Sequence, residues 1–441
     1  MTRSSLAPAL CVVWTLGIIL SASLTPGIQA QGAATNSPRG QGGTNPQQEL
    51  QSVTSFSAGW GAHFRASFQS AAARDLLKRQ GAAMRALRVA YDNDGLWDWG
   101  EPSKEGPEVL HKMLDQYADS GAGFIVWGCG NNLAWGYTPK VQEAWCERLP
   151  GKVVRQSPSL AKLQSLQRSY LAAGTDPLSH VLVRARQRGL AVLAGFRINR
   201  FMSEHGVESW YEKNPKLFLS KESCPFYAHT RSGNLALPEV REHFVKNSID
   251  VVERYPDVDG LHFEFVRALP FFEKAEPNKI EHMTAFLRML RKELDRIGRE
   301  RGKRLLLSVM IPTPEFFRVC RPTWPPEFFD LAKQGLDPEA WIREKLVDVL
   351  IPCVYTVHLP MPQAVDLRPW VKMAQGSATR VYGGVFNITA KMTPKECQRT
   401  VEVMNLVAAQ SEGVFVFNSQ PAQLAAVLDR AAAEPLKVTS Q

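Results

Sequence analysis

Residues 257–267 are Asp257-Val258-Asp259-Gly260-Leu261-His262-Phe263-Glu264-Phe265-Val266-Arg267. The pair Asp259-Gly260 is typical of a turn, and the apolar run that follows predicts a β-strand over 260–266. Because side chains alternate across a strand, His262 and Glu264 lie on one face and two phenylalanines on the other. We expect the phenylalanines to face helices, which leaves His262 and Glu264 inside a barrel.

Seven further apolar runs occur along the chain, separated by longer amphipathic stretches. This alternation is the pattern of βα units rather than of a β-sandwich. A doubly wound sheet usually carries a Gly-rich phosphate loop after its first strand, and the sequence has none there. We therefore predict an α/β fold, a (β/α)8 TIM barrel, with long loops after strands 2 and 3 (131–175 and 199–237). The seven other predicted strands are 86–91, 123–128, 191–198, 305–311, 347–355, 381–386 and 413–417.

The stretches between these runs have the composition and length of helices that return the chain for a parallel strand. Gly121, Gly189 and Gly302 follow three of them and predict left-handed residues at the helix ends. The predicted helices are 109–120, 177–188, 238–254, 279–301, 338–345 and 394–410.

The amino-terminal region predicts export. Residues 1–30 have a positive start at Arg3, an apolar stretch and a small residue, Ala30, at a suitable cleavage position, as in a signal peptide. Residues 31–55 are rich in Gly, Gln, Asn, Ser and Pro and predict a disordered leader. We expect 56–435 to form one barrel domain in the periplasm or outside the cell. No later stretch approaches the roughly 18 apolar residues of an integral membrane span.

The net charge and the spacing of the cysteines limit which ligands and metals we expect the protein to bind. The formal net charge is +9, spread along the chain, and no motif combines basic and aromatic residues as in nucleic-acid binders. A basic surface suits acidic polysaccharides, and we predict a polysaccharide or oligosaccharide partner and no nucleic acid. No two cysteines are separated by two residues, which argues against structural zinc. We predict no cofactor and no bound metal.

Polar residues gather where the predicted strands end, the side on which barrel enzymes build their sites. A carboxyl group held there among aromatic residues would favour its protonated form, which suits Glu264 as an acid catalyst. Alternatively, Glu264 is structural and pairs with Arg267 or Arg197. Asp92, Asp94 and Glu315 are candidates for a second catalytic carboxylate. The predicted substrate-binding residues are Asp94, Trp127, Arg197, Asn199, His262, Arg267, Tyr355, Asn387 and Asn418.

At the fourth strand the chain resembles the glycoside-hydrolase-like family-10 group of bacterial barrel proteins. The residues that carry the resemblance are Asp259-Gly260, Glu264 and Arg267, and 189–199 and 348–355 are similar to the family's third and sixth strands. The resemblance spans roughly 85–418. It implies a glycoside hydrolase that acts on an extracytoplasmic polysaccharide by carboxylate acid/base catalysis.

Two other function classes fit the same residues. One is a non-catalytic carbohydrate-binding barrel that lacks a complete catalytic pair. The other is a metal-dependent hydrolase with Asp92, Asp94, His262 and Glu264 as ligands. Metal analysis of the purified protein would separate the second class from the others.

Overall fold

The computed structural model describes 89–92, 102, 107–130, 133–198, 201–202, 206–224, 230–266, 270–316, 326–355, 366–386, 392–417 and single positions between 423 and 430. The predicted signal peptide and leader lie outside these residues, so the domain bounds 56–435 stay a prediction. Five predicted binding residues also lie outside them, namely Asp94, Asn199, Arg267, Asn387 and Asn418.

Ten strands are described, and eight of them close into one parallel barrel. In chain order they are β1 (Val89–Asp92), β2 (Phe124–Gly130), β3 (Ala191–Arg197), β4 (Phe201–Met202), β5 (Thr230–Arg231), β6 (Gly260–Glu264), β7 (Leu306–Pro312), β8 (Val349–Tyr355), β9 (Arg380–Phe386) and β10 (Gly413–Phe417). The barrel order is β1-β10-β9-β8-β7-β6-β3-β2, and β4 pairs with β5 as a separate antiparallel ribbon. The predicted TIM barrel is confirmed, and β6 is its fourth strand.

Helices connect the barrel strands. They are α1 (Glu108–Asp119), α2 (Trp145–Arg148), α3 (Gly151–Gln156), α4 (Pro158–Ala172), α5 (Pro177–Arg188), α6 (Ser209–Lys213), α7 (Pro238–Arg254), α8 (Lys279–Glu300), α9 (Pro338–Arg343), α10 (Arg368–Ala374) and α11 (Pro394–Gln410). The six predicted helices are present, and α2, α3, α4, α6 and α10 were not predicted. Within the described part of the chain, every helix is too short or too polar to span a bilayer.

The two faces of β6 separate as its sequence predicts. The ring of His262 stacks on Phe415 of β10, with centroids 5.4 Å apart, and β10 is not a neighbour of β6 in the barrel. Phe263 instead meets Phe286 of α8 edge to face at 5.5 Å. His262 therefore points into the barrel, and Phe263 packs against the helical layer.

Two acidic residues hold the amino-terminal end of the barrel together. Asp259 precedes β6 and accepts a hydrogen bond from the backbone N–H of Val192 in β3 at 3.0 Å. Asp348 precedes β8 and accepts one in the same way from Leu307 in β7 at 2.8 Å. Since Asp259 precedes β6 and Glu264 ends it, the two carboxylates lie at opposite ends of the strand.

Gly260 allows the close approach of β6 and β7. A Cβ at this position would lie 2.0 Å from the backbone oxygen of Leu306, which no side chain tolerates. Gly189 has a different role, since it ends α5 with a left-handed backbone at φ 65°. The glycine in the Asp259-Gly260 pair is thus required by strand packing.

Candidate functional site

Three charged residues end strands at the carboxyl-terminal mouth of the barrel: Asp92 ends β1, Arg197 ends β3 and Glu264 ends β6. Arg197 and Glu264 are partners in the strand register, so their side chains leave the same face of the sheet. Tyr91 contacts Tyr117 of α1, with ring centroids 5.1 Å apart, and faces the helices. Asp92, the next residue, therefore faces the barrel interior, where it is buried.

Arg197 and Glu264 form an ion pair. The guanidinium Nε donates a hydrogen bond to Oε2 of Glu264 at 2.9 Å, and Glu264 is only 3% exposed. A buried charge-assisted bond of this kind fixes the orientation of both groups and favours the ionised carboxylate. One of the two pairings considered from the sequence is therefore present. Burial of Glu264 favours the neutral acid, whereas the guanidinium of Arg197 favours the carboxylate.

His262 lies one step deeper in the barrel on the same face of β6. Its side chain is buried, and its Nδ1 lies 2.9 Å from the hydroxyl oxygen of Ser308 on β7. Burial lowers the pKa of His262 from 6.5 to about 4, although the nearby Glu264 carboxylate acts in the opposite direction. At neutral pH the floor beneath Glu264 therefore carries a neutral imidazole.

An aromatic cluster that the sequence analysis missed lines the other side of the mouth. Phe386 ends β9 and Phe417 ends β10, and their rings stack at 4.3 Å. Phe316, which follows β7, lies 5.2 Å from Phe386. Phe417 is in register with Asp92 and so faces the interior. The contact between these rings depends on the register of β9 with β10, which no single segment of the sequence shows.

Other predicted site residues are placed differently. Trp127 is 1% exposed and its indole N–H donates to the backbone oxygen of Gly136 at 3.1 Å. Its neighbour Val126 is in register with Asp92 and faces the interior, so Trp127 faces the helices and is not brought into the site. Glu315 is half-buried just beyond β7, at the same end of the barrel as Glu264. Of Tyr355 only its place at the end of β8 is described.

Among the described residues, no group of three or more His, Cys, Asp or Glu side chains is arranged to hold a metal ion. The metal-dependent hypothesis also needs Asp94, which lies outside those residues. Two of the described members make other contacts: Glu264 bonds to Arg197, and His262 to Ser308.

A family model matches the part of the chain that carries the ion pair. The Glycosyl hydrolase-like 10 model matches 148–281, a stretch that includes Arg197, His262 and Glu264. The family resemblance predicted from the sequence is confirmed over these residues. Asp92 and Glu315 lie outside the matched stretch.

Solved structures with a similar fold include three glycoside-degrading enzymes of low sequence identity. A noncanonic maltogenic alpha-amylase, AmyB from Thermotoga neapolitana, is 13% identical over 76% of this chain and 68% of that chain, with a TM-score of 0.44. Chitinase ChiW from Paenibacillus sp. str. FPU-7 is 13% identical over 79% of this chain and 33% of its own, with a TM-score of 0.42. The catalytic domain of psychrophilic chitinase B from Arthrobacter TAD20 is 12% identical over 80% and 97%, with a TM-score of 0.41. No curated protein sequence matches the chain.

Proposed function

We propose that this protein hydrolyses glycosidic bonds in an extracytoplasmic polysaccharide, with Glu264 as a catalytic carboxylate. The observation that carries the proposal is the buried Glu264 held by Arg197 at the carboxyl-terminal mouth of a closed barrel. The match of 148–281 to a glycosyl hydrolase-like family supports the reaction class. The basic charge and the signal-like first 30 residues support a periplasmic or extracellular place of action.

Hydrolysis needs a second carboxyl group. One acid protonates the leaving oxygen, while the other carboxylate either attacks the anomeric carbon or activates water. With Glu264 proposed as the carboxylate beside Arg197, the second group would act as the acid. Asp92 is the first candidate because it is buried and faces the interior, and Glu315 and Asp94 are the others.

The mouth combines a buried apolar layer with polar strand ends. The stacked rings of Phe386 and Phe417 are buried and form part of the apolar layer beneath the site. The polar partners for sugar hydroxyls remain the predicted residues at the strand ends, namely Asp94, Arg197, Asn199, His262, Arg267, Tyr355, Asn387 and Asn418.

A carbohydrate-binding barrel without turnover is the second candidate function. It is favoured by the same ion pair, because a carboxylate already bonded to Arg197 is also what a purely structural Glu264 would show. This second function predicts that glycan affinity survives replacement of Glu264.

The deciding experiment is reducing-sugar release from a panel of neutral and acidic polysaccharides, comparing the parent with Glu264→Gln at matched folding. We expect Glu264→Gln to lower release about a thousandfold, within the range usual for loss of a catalytic acid or base. Glu222→Gln is the control, since it makes the same change at an exposed position. Binding by parent and Glu264→Gln with release by neither would contradict the hydrolase proposal and leave the binding barrel.

A further inference from the structure

The segment 206–224, here called the strap, lies between β3 and α7, and so between Arg197 and the strand that carries Glu264. It contains α6 and a short 3₁₀ turn, Pro215–Leu217. Tyr211 and Leu217 anchor it in the core with 0% and 2% exposure. Two carboxylates, one near each end of the strap, connect it to other parts of the barrel.

The first connection joins the strap to α7. Glu208 is 3% exposed, and its Oε2 lies 2.6 Å from Nε2 of His243. Trp210 stacks on the same imidazole, with centroids 3.9 Å apart. The side-chain nitrogen of Asn247 lies 3.1 Å from Nε2 as well. A buried carboxylate, an imidazole and an indole thus hold the start of the strap on the helix that precedes β6.

The strap also contacts the long connection between β2 and β3. The Ser209 hydroxyl donates to Glu143 at 2.8 Å, and Arg148 Nε donates to the backbone oxygen of Val207 at 3.0 Å. At Gly206 an added Cβ would lie 2.5 Å from the backbone oxygen of Arg148. The two long connections therefore touch backbone to backbone.

The second connection joins the strap to the segment that follows Glu264. Glu273 accepts hydrogen bonds from the backbone N–H and from the hydroxyl of Ser220, both at 2.7 Å. The Ser223 hydroxyl donates to the same carboxylate and accepts from the N–H of Lys274 at 2.8 Å. Just beyond the strap, Leu235 N–H donates to the backbone oxygen of Phe271 at 3.0 Å.

We propose that Glu208 and Glu273 are positioning residues of the candidate site. By fixing the strap to α7 and to the segment after Glu264, they hold the edge of the mouth between β3 and β6, where Arg197 meets Glu264. The inference rests on the proposed function only in treating this edge as part of the site. Its physical basis is that Glu273 accepts three hydrogen bonds from Ser220 and Ser223, while the buried Glu208 contacts the imidazole of His243.

The test is hydrogen exchange measured by mass spectrometry on the full chain without substrate. Ser220→Ala removes one donor to Glu273, whereas Ser220→Thr keeps the hydroxyl at an exposed position. We expect Ser220→Ala and Glu273→Gln to speed exchange about tenfold in 206–224 and in 262–266, as loss of a hydrogen bond to a charged group would. Glu208→Gln should have the same effect, while Ser220→Thr and the exposed Glu222→Gln should match the parent.

The segments in which exchange becomes faster decide whether the proposal holds. Faster exchange in the strap with unchanged exchange in 262–266 would overturn the positioning role, and so would an equal rise in β1 and β10, which indicates general destabilisation. If Glu208→Gln does not fold, the Ser220 pair still decides for Glu273. Because no sugar is involved, failure of the exchange prediction and failure to find hydrolysis are separate results.

Discussion

His262 places a titratable group with a strongly shifted pKa directly beneath Glu264. In the folded protein burial lowers its pKa from 6.5 to about 4, opposed by the Glu264 carboxylate. In the unfolded chain a histidine titrates near its ordinary value. As the pH falls below about 6.5, the unfolded chain takes up a proton that the folded protein does not, so stability falls until the pH reaches about 4. Above this window the contribution of His262 is constant.

We expect His262 to account for about 3 kcal/mol of lost unfolding free energy between pH 7 and pH 4. Urea denaturation at several pH values should show a steep loss for the parent and a shallower one for His262→Gln. His282→Gln makes the same change in a half-buried pair with Glu276 and should keep the steep loss. Equal slopes for parent and His262→Gln would contradict the assignment.

The sequence predicted some residues of the candidate site and missed others for a common reason. Glu264 and His262 were placed inside the barrel because alternation along one strand is local information. Trp127 was chosen for its chemistry, yet alternation from Val126 puts it on the helical side. The positions of Ser308, Phe386 and Phe417 in the site depend on which strands meet across the barrel. No single segment of the sequence shows the register between strands.

At the scale of the elements, the pairing of β6 with β7 depends on glycine, with no side chain, at position 260. We expect Gly260→Ala to cost about 3 kcal/mol or more, because the new Cβ would overlap the backbone of Leu306. Gly376→Ala is a matched control, since Gly376 has φ 78° and open space around its Cβ position. That control should cost only about 1 kcal/mol for its left-handed backbone. Chemical denaturation measures both, and equal costs would show that β7 can move aside.

Three helices were predicted to the residue, and most of the missed ones are short, although the 15-residue α4 was missed as well. The bounds of α5, α7 and α11 match the prediction, and each begins with a proline, which is pre-organised for a first helical turn. The short α2 has no such signal. It is held by tertiary contacts, including Gln167 of α4, which accepts from the N–H of Cys146 at 2.9 Å. Local sequence carries little information about an element that exists through such a contact.

At the scale of the whole molecule, the barrel depends on its last strand. β10 pairs with both β9 and β1, and Phe415 and Phe417 are fully buried in the core. We expect deletion of 413–441 to abolish cooperative unfolding, because it opens the barrel and exposes two strand edges. Deletion of 436–441, beyond the predicted domain bound, should leave unfolding unchanged. Near-ultraviolet circular dichroism during urea titration distinguishes the two, and cooperative unfolding of the longer deletion would contradict closure by β10.

The pairing of β1 with β10 also constrains how the chain can be made. Val89 of β1 pairs with Val414 of β10. The ribosome has therefore synthesised nearly the whole barrel before β1 can be enclosed. Contacts so distant in sequence are slow to form, and until they do, the nascent sheet keeps an unpaired edge that other chains can join. The period of greatest aggregation risk for this protein therefore lies before β10 pairs with β1, when the need for a chaperone should be highest.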